Sequence, residues 1–208
     1  MRRTSEVRRT YNVHSMAPRN VQFVQGEYYH IYNRGAGHQN IFRERSNYLF
    51  VLERMKEYSR ELRIAIIAYC LMPNHYHLLV RQDADASAGL LPQRVFNSYV
   101  KAFNKRYEVT GTLFEGMYRA LHVTTDAYLL HLCRYIHANP VKHGFTTHAA
   151  DWEFSNYPEW VGARGGTLVN RAFVHEHFTV VGQTYPIFLN EYYTGAAPAG
   201  FESLTFED

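Results

Sequence analysis

The stretch "LRIAIIAYCLMPNHYHLLVR", Leu62 to Arg81, holds two apolar runs parted only by Pro73 and Asn74. So short a connection joins antiparallel neighbours, because parallel strands need a crossover of a dozen or more residues. The first run is apolar at both alternating sets of positions, which predicts a strand covered on both faces and central in its sheet. Two strands alone do not hold together in water, so the rest of the chain must cover them. At 208 residues and 46% hydrophobic it has the material for one domain, or one domain with an appendage.

The flanking segments supply those covers. "YYHIYNRG" predicts a strand over Tyr28 to Asn33, closed by Gly35 and Gly37. Ser46 is placed to cap a helix through "NYLFVLERMKEYSR", with Leu49, Leu52, Met55 and Lys56 at helical spacing. After a loop from Asp83 to Gly89, "LLPQRVFNSYVKAFNKRYE" predicts a helix with Val95, Phe96, Tyr99 and Phe103 toward the core and Arg94, Lys101, Lys105 and Arg106 outward. A strand follows around Tyr118 to Val123, and Asp126 then caps a helix "AYLLHLCRYIHANP" ended by Pro140. The order is strand, helix, strand, strand, helix, strand, helix. It predicts an α+β fold, a ferredoxin-like antiparallel sheet with helices packed on it. Residues 27–150 make this domain. A basic arm, residues 1–26 with Arg2, Arg3, Arg8, Arg9 and Arg19, precedes it, and an acidic aromatic extension, residues 151–208, packs back on it.

Charge is divided unevenly. Residues 1–150 carry 20 Lys and Arg against 11 Asp and Glu, whereas residues 151–208 carry 2 against 8, so a polyanion would meet the first part. No apolar run reaches the ~18 residues of a membrane span, and "MRRTSEVRRT" lacks the apolar core of a secretory signal. A cytoplasmic location with no membrane partner is expected. Cys70 and Cys133 stand singly, without Cys-x-x-Cys spacing, and read as buried thiols rather than zinc ligands or a disulfide.

On a strand, His75 and His77 project from one face with Cα atoms roughly 6.5 Å apart. Two imidazoles so placed can converge on one cation, or can simply pack. A second His-x-His, His175 and His177 in "RAFVHEHF", has no apolar strand leading into it. If helical, its rings diverge, and it is expected to be a surface feature. In "YLLHLCRYIHANP", Leu129, Leu132, Cys133 and Ile136 form a core stripe while Tyr128, His131, Tyr135 and Asn139 form a polar one beside it. Tyr135 and Asn139 share a face at i and i+4. A phenol beside an amide oxygen suits a nucleophile next to a metal ligand, and equally an ordinary helix edge.

Together "YHIYNRG", "YCLMPNHYHLLV", "GTLFEGMY" and "YIHANPVKHG" resemble, in order and spacing, the single-tyrosine HUH transposases, in particular the branch called REP-associated tyrosine transposases. "WEFSNYPEWVG" is similar to the Trp-x-x-Ser-x-Tyr segment that follows the catalytic domain in that branch. The resemblance runs from Tyr28 to Gly162. It implies an enzyme that cleaves and rejoins single-stranded DNA at hairpins of extragenic palindromes through a 5′-phosphotyrosine. Tyr135 would be the nucleophile, and His75, His77 and Asn139 the ligands of a divalent Mg²⁺ or Mn²⁺, with no nucleotide cofactor. His131, one turn from Tyr135, is a candidate helper. Arg34, Arg43, Arg45, Lys101, Lys105, Arg119 and Lys142 are candidates for holding the DNA backbone, and Tyr28, Tyr32 and Phe114 for stacking bases. Related enzymes exchange the tyrosine helix between subunits, so monomer and homodimer both stay open. A non-catalytic DNA-binding module of the same fold and a small metallohydrolase are the alternatives.

Overall fold

The computed structural model describes residues 21–178 and 185–194. The basic arm expected over residues 1–26 lies outside the described residues except at positions 21–26. Four strands, β1 (Tyr28–Arg34), β2 (Ile64–Leu71), β3 (His75–Gln82) and β4 (Arg119–Val123), form one antiparallel sheet in the order β2-β3-β1-β4. Helix α1 (Arg45–Leu62) joins β1 to β2, and α2 (Leu90–Tyr107) joins β3 to β4. This is the ferredoxin-like arrangement. These two helices cover one face of the sheet. Helix α3 (Asp126–Lys142) covers the other, together with α4 (Tyr157–Trp160), α5 (Arg171–Phe178) and α6 (Tyr185–Tyr193). Among the described residues no helix is long and apolar enough to cross a membrane.

Alternation along the strands divides the interior into two cores. Tyr29, Ile31, Leu78, Val80, Tyr69 and Leu71 face α1 and α2, while Ala68, Cys70 and Leu79 face α3. The register of β2 shifts between Ile66 and Ala68. This bulge lets Ile67 join Ala68 on the α3 side, so that Ile66 and Tyr69 both reach the other core.

The doubly apolar β2 is not central, as its sequence led us to expect, but an edge strand. Both its faces are buried and its outer edge is covered by residues 154–156. Leu71 N–H donates to Phe154 O at 2.9 Å, and Cys70 forms a bridge with Ser155. At the bulge the Asn156 side chain takes the place of a neighbouring strand: its Oδ1 accepts from Tyr69 N–H at 2.8 Å and its Nδ2 donates to Ile67 O at 2.8 Å. A buried edge has to be satisfied in some such way. Periodicity reports only that both faces are dry, so it cannot separate a central strand from a covered edge.

Three helix features differ from expectation. The N-cap of α1 is Glu44, in a reciprocal capping box with Asn47, rather than Ser46. The buried positions of α1 are Asn47, Tyr48, Val51, Met55, Ser59 and Leu62, whereas Leu49 and Lys56 face outward. Tyr48, stacked on Phe42 and Phe154, sets that rotation. Thr125, not Asp126, caps α3 by accepting from Tyr128 N–H at 3.2 Å, and α3 runs through Pro140 to Lys142. Proline there removes one N–H from the last turn without ending the helix. In α2 the expected Val95, Phe96, Tyr99 and Phe103 are the buried side.

The expected amphipathic character of α3 is also corrected, since both its apolar and its polar stripe are buried. Trp160, Phe173, Phe178, Tyr185 and Leu189 of α4 to α6 share its core. His137 of α3 donates from Nε2 to Asn156 Oδ1 at 2.8 Å and accepts at Nδ1 from the Tyr185 hydroxyl at 2.6 Å. One amide thus ties together β2, α3 and, through His137, α6. Asn156→Ala should lower the unfolding free energy by about 3 kcal/mol, because it strands buried donors on Tyr69 and His137. Urea denaturation measures this, and an unchanged midpoint would contradict the structural role.

Candidate active site

The turn entering β3 is docked firmly. Pro73 O accepts from Ile41 N–H at 2.7 Å and Phe42 N–H at 3.0 Å, and Asn74 O accepts from Gly35 N–H at 2.7 Å. Residue 35 must be glycine, since a Cβ there would come 2.1 Å from Gln39 O. With its start anchored, β3 turns His75 and His77 to the α3 side, where β1 presents His30 and Tyr32 by the same period of two.

Helix α3 brings Asn139 and Tyr135 against these histidines. Asn139 Nδ2 donates to the Tyr135 carbonyl at 2.8 Å, which can only accept, so the atom facing His75 Nε2 at 3.2 Å is the amide oxygen. The His75 and His77 rings are 5.1 Å apart, edge to face. The Tyr135 ring meets His77 at 5.4 Å and His30 at 6.3 Å, both edge to face, and Lys142 Nζ lies 5.8 Å from its centroid. These groups belong to one chain, and Tyr135 is only 3% exposed.

His75 Nδ1 lies 2.8 Å from Asn74 Oδ1, and His77 Nδ1 lies 3.0 Å from His30 Nε2. When Asn74 accepts the His75 proton, the His75 Nε2 lone pair opposes the Asn139 Oδ1 lone pair at 3.2 Å, a confrontation that a cation relieves. Two imidazole nitrogens and an amide oxygen form a donor set that Mg²⁺ or Mn²⁺ accepts, with water or substrate oxygens completing the shell. Among the described residues no group of three or more His, Cys, Asp or Glu could hold a metal ion, and Asn139 Oδ1 is the further protein oxygen facing His75. Burial, and then the nearby His75, push His77 well below the ordinary imidazole range, and burial lowers His30 to about 3. Both rings are neutral at physiological pH, as ligation requires.

Tyr32 stacks on His30 at 5.0 Å, and burial raises its hydroxyl to about 12 against the opposing effect of Arg119. His131 has Nδ1 3.5 Å from Arg134 and its ring edge on Tyr192. His175 and His177 lie in α5, where His177 Nδ1–H donates to Phe173 O at 3.0 Å. The basic candidates fall into two groups. Arg119, Lys142 and Arg34 adjoin the site, with Arg34 opposite His75 in the register and ion-paired to Glu115. Lys101 and Lys105 are exposed on α2, Arg43 lies over the Phe103 and Tyr107 rings, and Arg45 pairs with Glu153. Tyr28 packs near Phe173, and Phe114 packs against Tyr76 and Phe96.

Sequence reasoning missed His30 and Asn74. His30 alternates with Tyr28 and Tyr32, a usable signal for a shared face, but only the β1–β3 register brings it to His77. In the sequence Asn74 reads as a turn residue alone.

A family model described as "Transposase IS200 like" matches residues 23–139, ending at the Asn139 amide. A solved structure of a REP-associated tyrosine transposase bound to a REP hairpin is 16% identical, with a TM-score of 0.61 over 74% of this chain and 94% of that one. A crystal structure of a candidate transposase from Deinococcus radiodurans R1 is 18% identical, with a TM-score of 0.38 over 59% of this chain and 95% of that one. No curated protein matches the chain.

Burial also sets the response to acid. His30 is lowered to about 3 and His137 to about 4, whereas in the unfolded chain both titrate near ~6.5. Below that pH the unfolded chain takes up protons that the folded chain refuses, so stability is full above pH ~6.5 and declines as pH falls toward about 4. At pH ~5 each of these imidazoles should cost about 2 kcal/mol. Urea midpoints at pH ~7 and ~5 check this, and equal values would refute it.

Proposed function

Because the chain belongs to the IS200-like transposase family, we propose that it is a DNA strand transferase of the REP-associated branch, cleaving and rejoining single-stranded DNA beside a hairpin. The observation that carries this reading is the meeting, within one chain, of His75 Nε2 and Asn139 Oδ1 at 3.2 Å with the Tyr135 ring 5.4 Å from His77. The fold likeness to a protein whose partner is a REP hairpin supports the choice of DNA.

Tyr135 Oη is the attacking oxygen. It bonds to the scissile phosphorus and gives up its proton, while the 3′ oxygen of the preceding nucleotide leaves and takes up a proton. The products are a 5′-phosphotyrosine and a 3′-hydroxyl. A phosphodiester replaces a phosphodiester, so a 3′-hydroxyl can reverse the step without a nucleotide cofactor. Mg²⁺ or Mn²⁺ held by His75, His77 and Asn139 would supply Lewis-acid polarisation of a phosphate oxygen.

The phenol ordinarily ionises near ~10, so its surroundings must favour the phenolate. Lys142, whose Nζ lies 5.8 Å from the centroid of the Tyr135 ring, brings positive charge near the phenol, which favours the phenolate. Support for His131 as a helper rests only on its place one turn before Tyr135, since its ring contacts Arg134 and Tyr192. Arg119, Arg34 and Lys142 are best placed for the phosphates flanking the cut. Arg43, Arg45, Lys101 and Lys105, which do not adjoin these groups, are left as candidates for the more distant stem.

Tyr135→Phe should reduce covalent attachment to single-stranded DNA to an undetectable level while leaving binding within about twofold, because phenylalanine keeps the packing and loses only the nucleophile. Denaturing gels read attachment and fluorescence anisotropy reads binding. Cleavage that survives in the variant would instead indicate metal-assisted hydrolysis. His77→Ala should abolish both cleavage and Mn²⁺ binding.

A further inference from the structure

We propose that Asn74 and His30 are positioning residues that fix the tautomers of His75 and His77, so that each ligand offers a lone pair at Nε2. The inference rests on the ligand roles proposed for those two histidines and extends them to the groups behind them. A neutral imidazole carries one N–H and one lone pair. A ring that coordinates through Nε2 therefore keeps its proton at Nδ1, and a buried N–H needs an acceptor.

Both ligands are buried, so protein atoms must provide those acceptors. His75 finds Asn74 Oδ1 at 2.8 Å and His77 finds His30 Nε2 at 3.0 Å. Asn74 is held by its own backbone, through Gly35 N–H, and His30 by stacking on Tyr32 at 5.0 Å and His77 at 5.2 Å. The direction of the His30 contact decides the outcome. If His77 donates from Nδ1, the proton of the neutral His30 sits at its buried Nδ1, and the His77 Nε2 lone pair is left for a cation. If His30 donates instead, the His77 proton moves to Nε2 and closes that position.

The chemistry of these acceptors also has a purpose. Metal-bound histidines commonly lean on carboxylates. An amide and an imidazole do the same orienting work with no negative charge. A cation held there would keep its full charge for a polyanionic substrate, because neither acceptor is a carboxylate that would offset it or repel the phosphate.

Mn²⁺ affinity, measured by electron paramagnetic resonance without DNA, tests the assignment. His30→Phe and Asn74→Ala should each weaken Mn²⁺ binding about 10- to 100-fold. His30→Gln and Asn74→Asp, which restore an acceptor, should recover most of the loss. In wild-type protein loaded with Mg²⁺, ¹⁵N spectra should show His75 and His77 both protonated at Nδ1, a readout that stands even if a variant fails to fold. Protonation at Nε2 of either ring, or unchanged affinity in folded His30→Phe and Asn74→Ala while His77→Ala abolishes binding, overturns this inference alone. Failure of the wild-type protein to bind Mn²⁺, or binding that survives His77→Ala, overturns the ligand roles and this inference with them.

Discussion

An edge strand that is dry on both faces must satisfy its outer backbone groups without water, and β2 places that demand on residues 154–156. The Asn156 amide meets it at the bulge, where the ladder is out of step and an ordinary strand would not fit. The same oxygen receives the His137 proton, so the segment that closes the sheet also fixes α3. His137 lies midway between Tyr135 and Asn139 on that helix. A displacement of the amide would therefore be felt at both. The aromatic helices beyond Asn156 are part of the same construction, because they turn what would be a surface helix into an interior one.

The neutrality of the site follows from that depth. Burial keeps His30, His77 and His137 uncharged, and Glu115, the carboxylate that pairs with Arg34, sits at an exposed position. In surroundings of low dielectric, any charge brought by a cation or a phosphate acts over a longer range than it would at the surface. Lys142, at the end of α3, is the basic candidate that contacts the Tyr135 ring.

What could be read in the sequence was whatever depends on near neighbours. The β2–β3 hairpin, the core side of α2, the shared face of His75 and His77 and the spacing of Tyr135 and Asn139 all follow from periods of two or 3.6 and from one proline-bearing turn. The order of the motifs led to the family. What could not be read depends on partners distant in the chain. The rotation of α1 is set by Tyr48 against Phe42 and Phe154, the covering of the β2 edge by Asn156, and the place of His30 beside His77 by a register across the sheet. The capping differences are of another, local kind, since Ser46 and Asp126 are suitable residue types standing two and one positions beyond Glu44 and Thr125, where the backbone turns.

Only Thr124 and Thr125 separate the end of β4 from the start of α3. A tether of two residues, at most about 3.6 Å each when extended, allows a helix to pivot but not to travel. Helix α3, which carries Tyr135, is thus leashed to the strand beside β1 and packs on its own sheet. Lengthening this joint, rather than altering any side chain in the site, is the change that would give the tyrosine a choice of sheets.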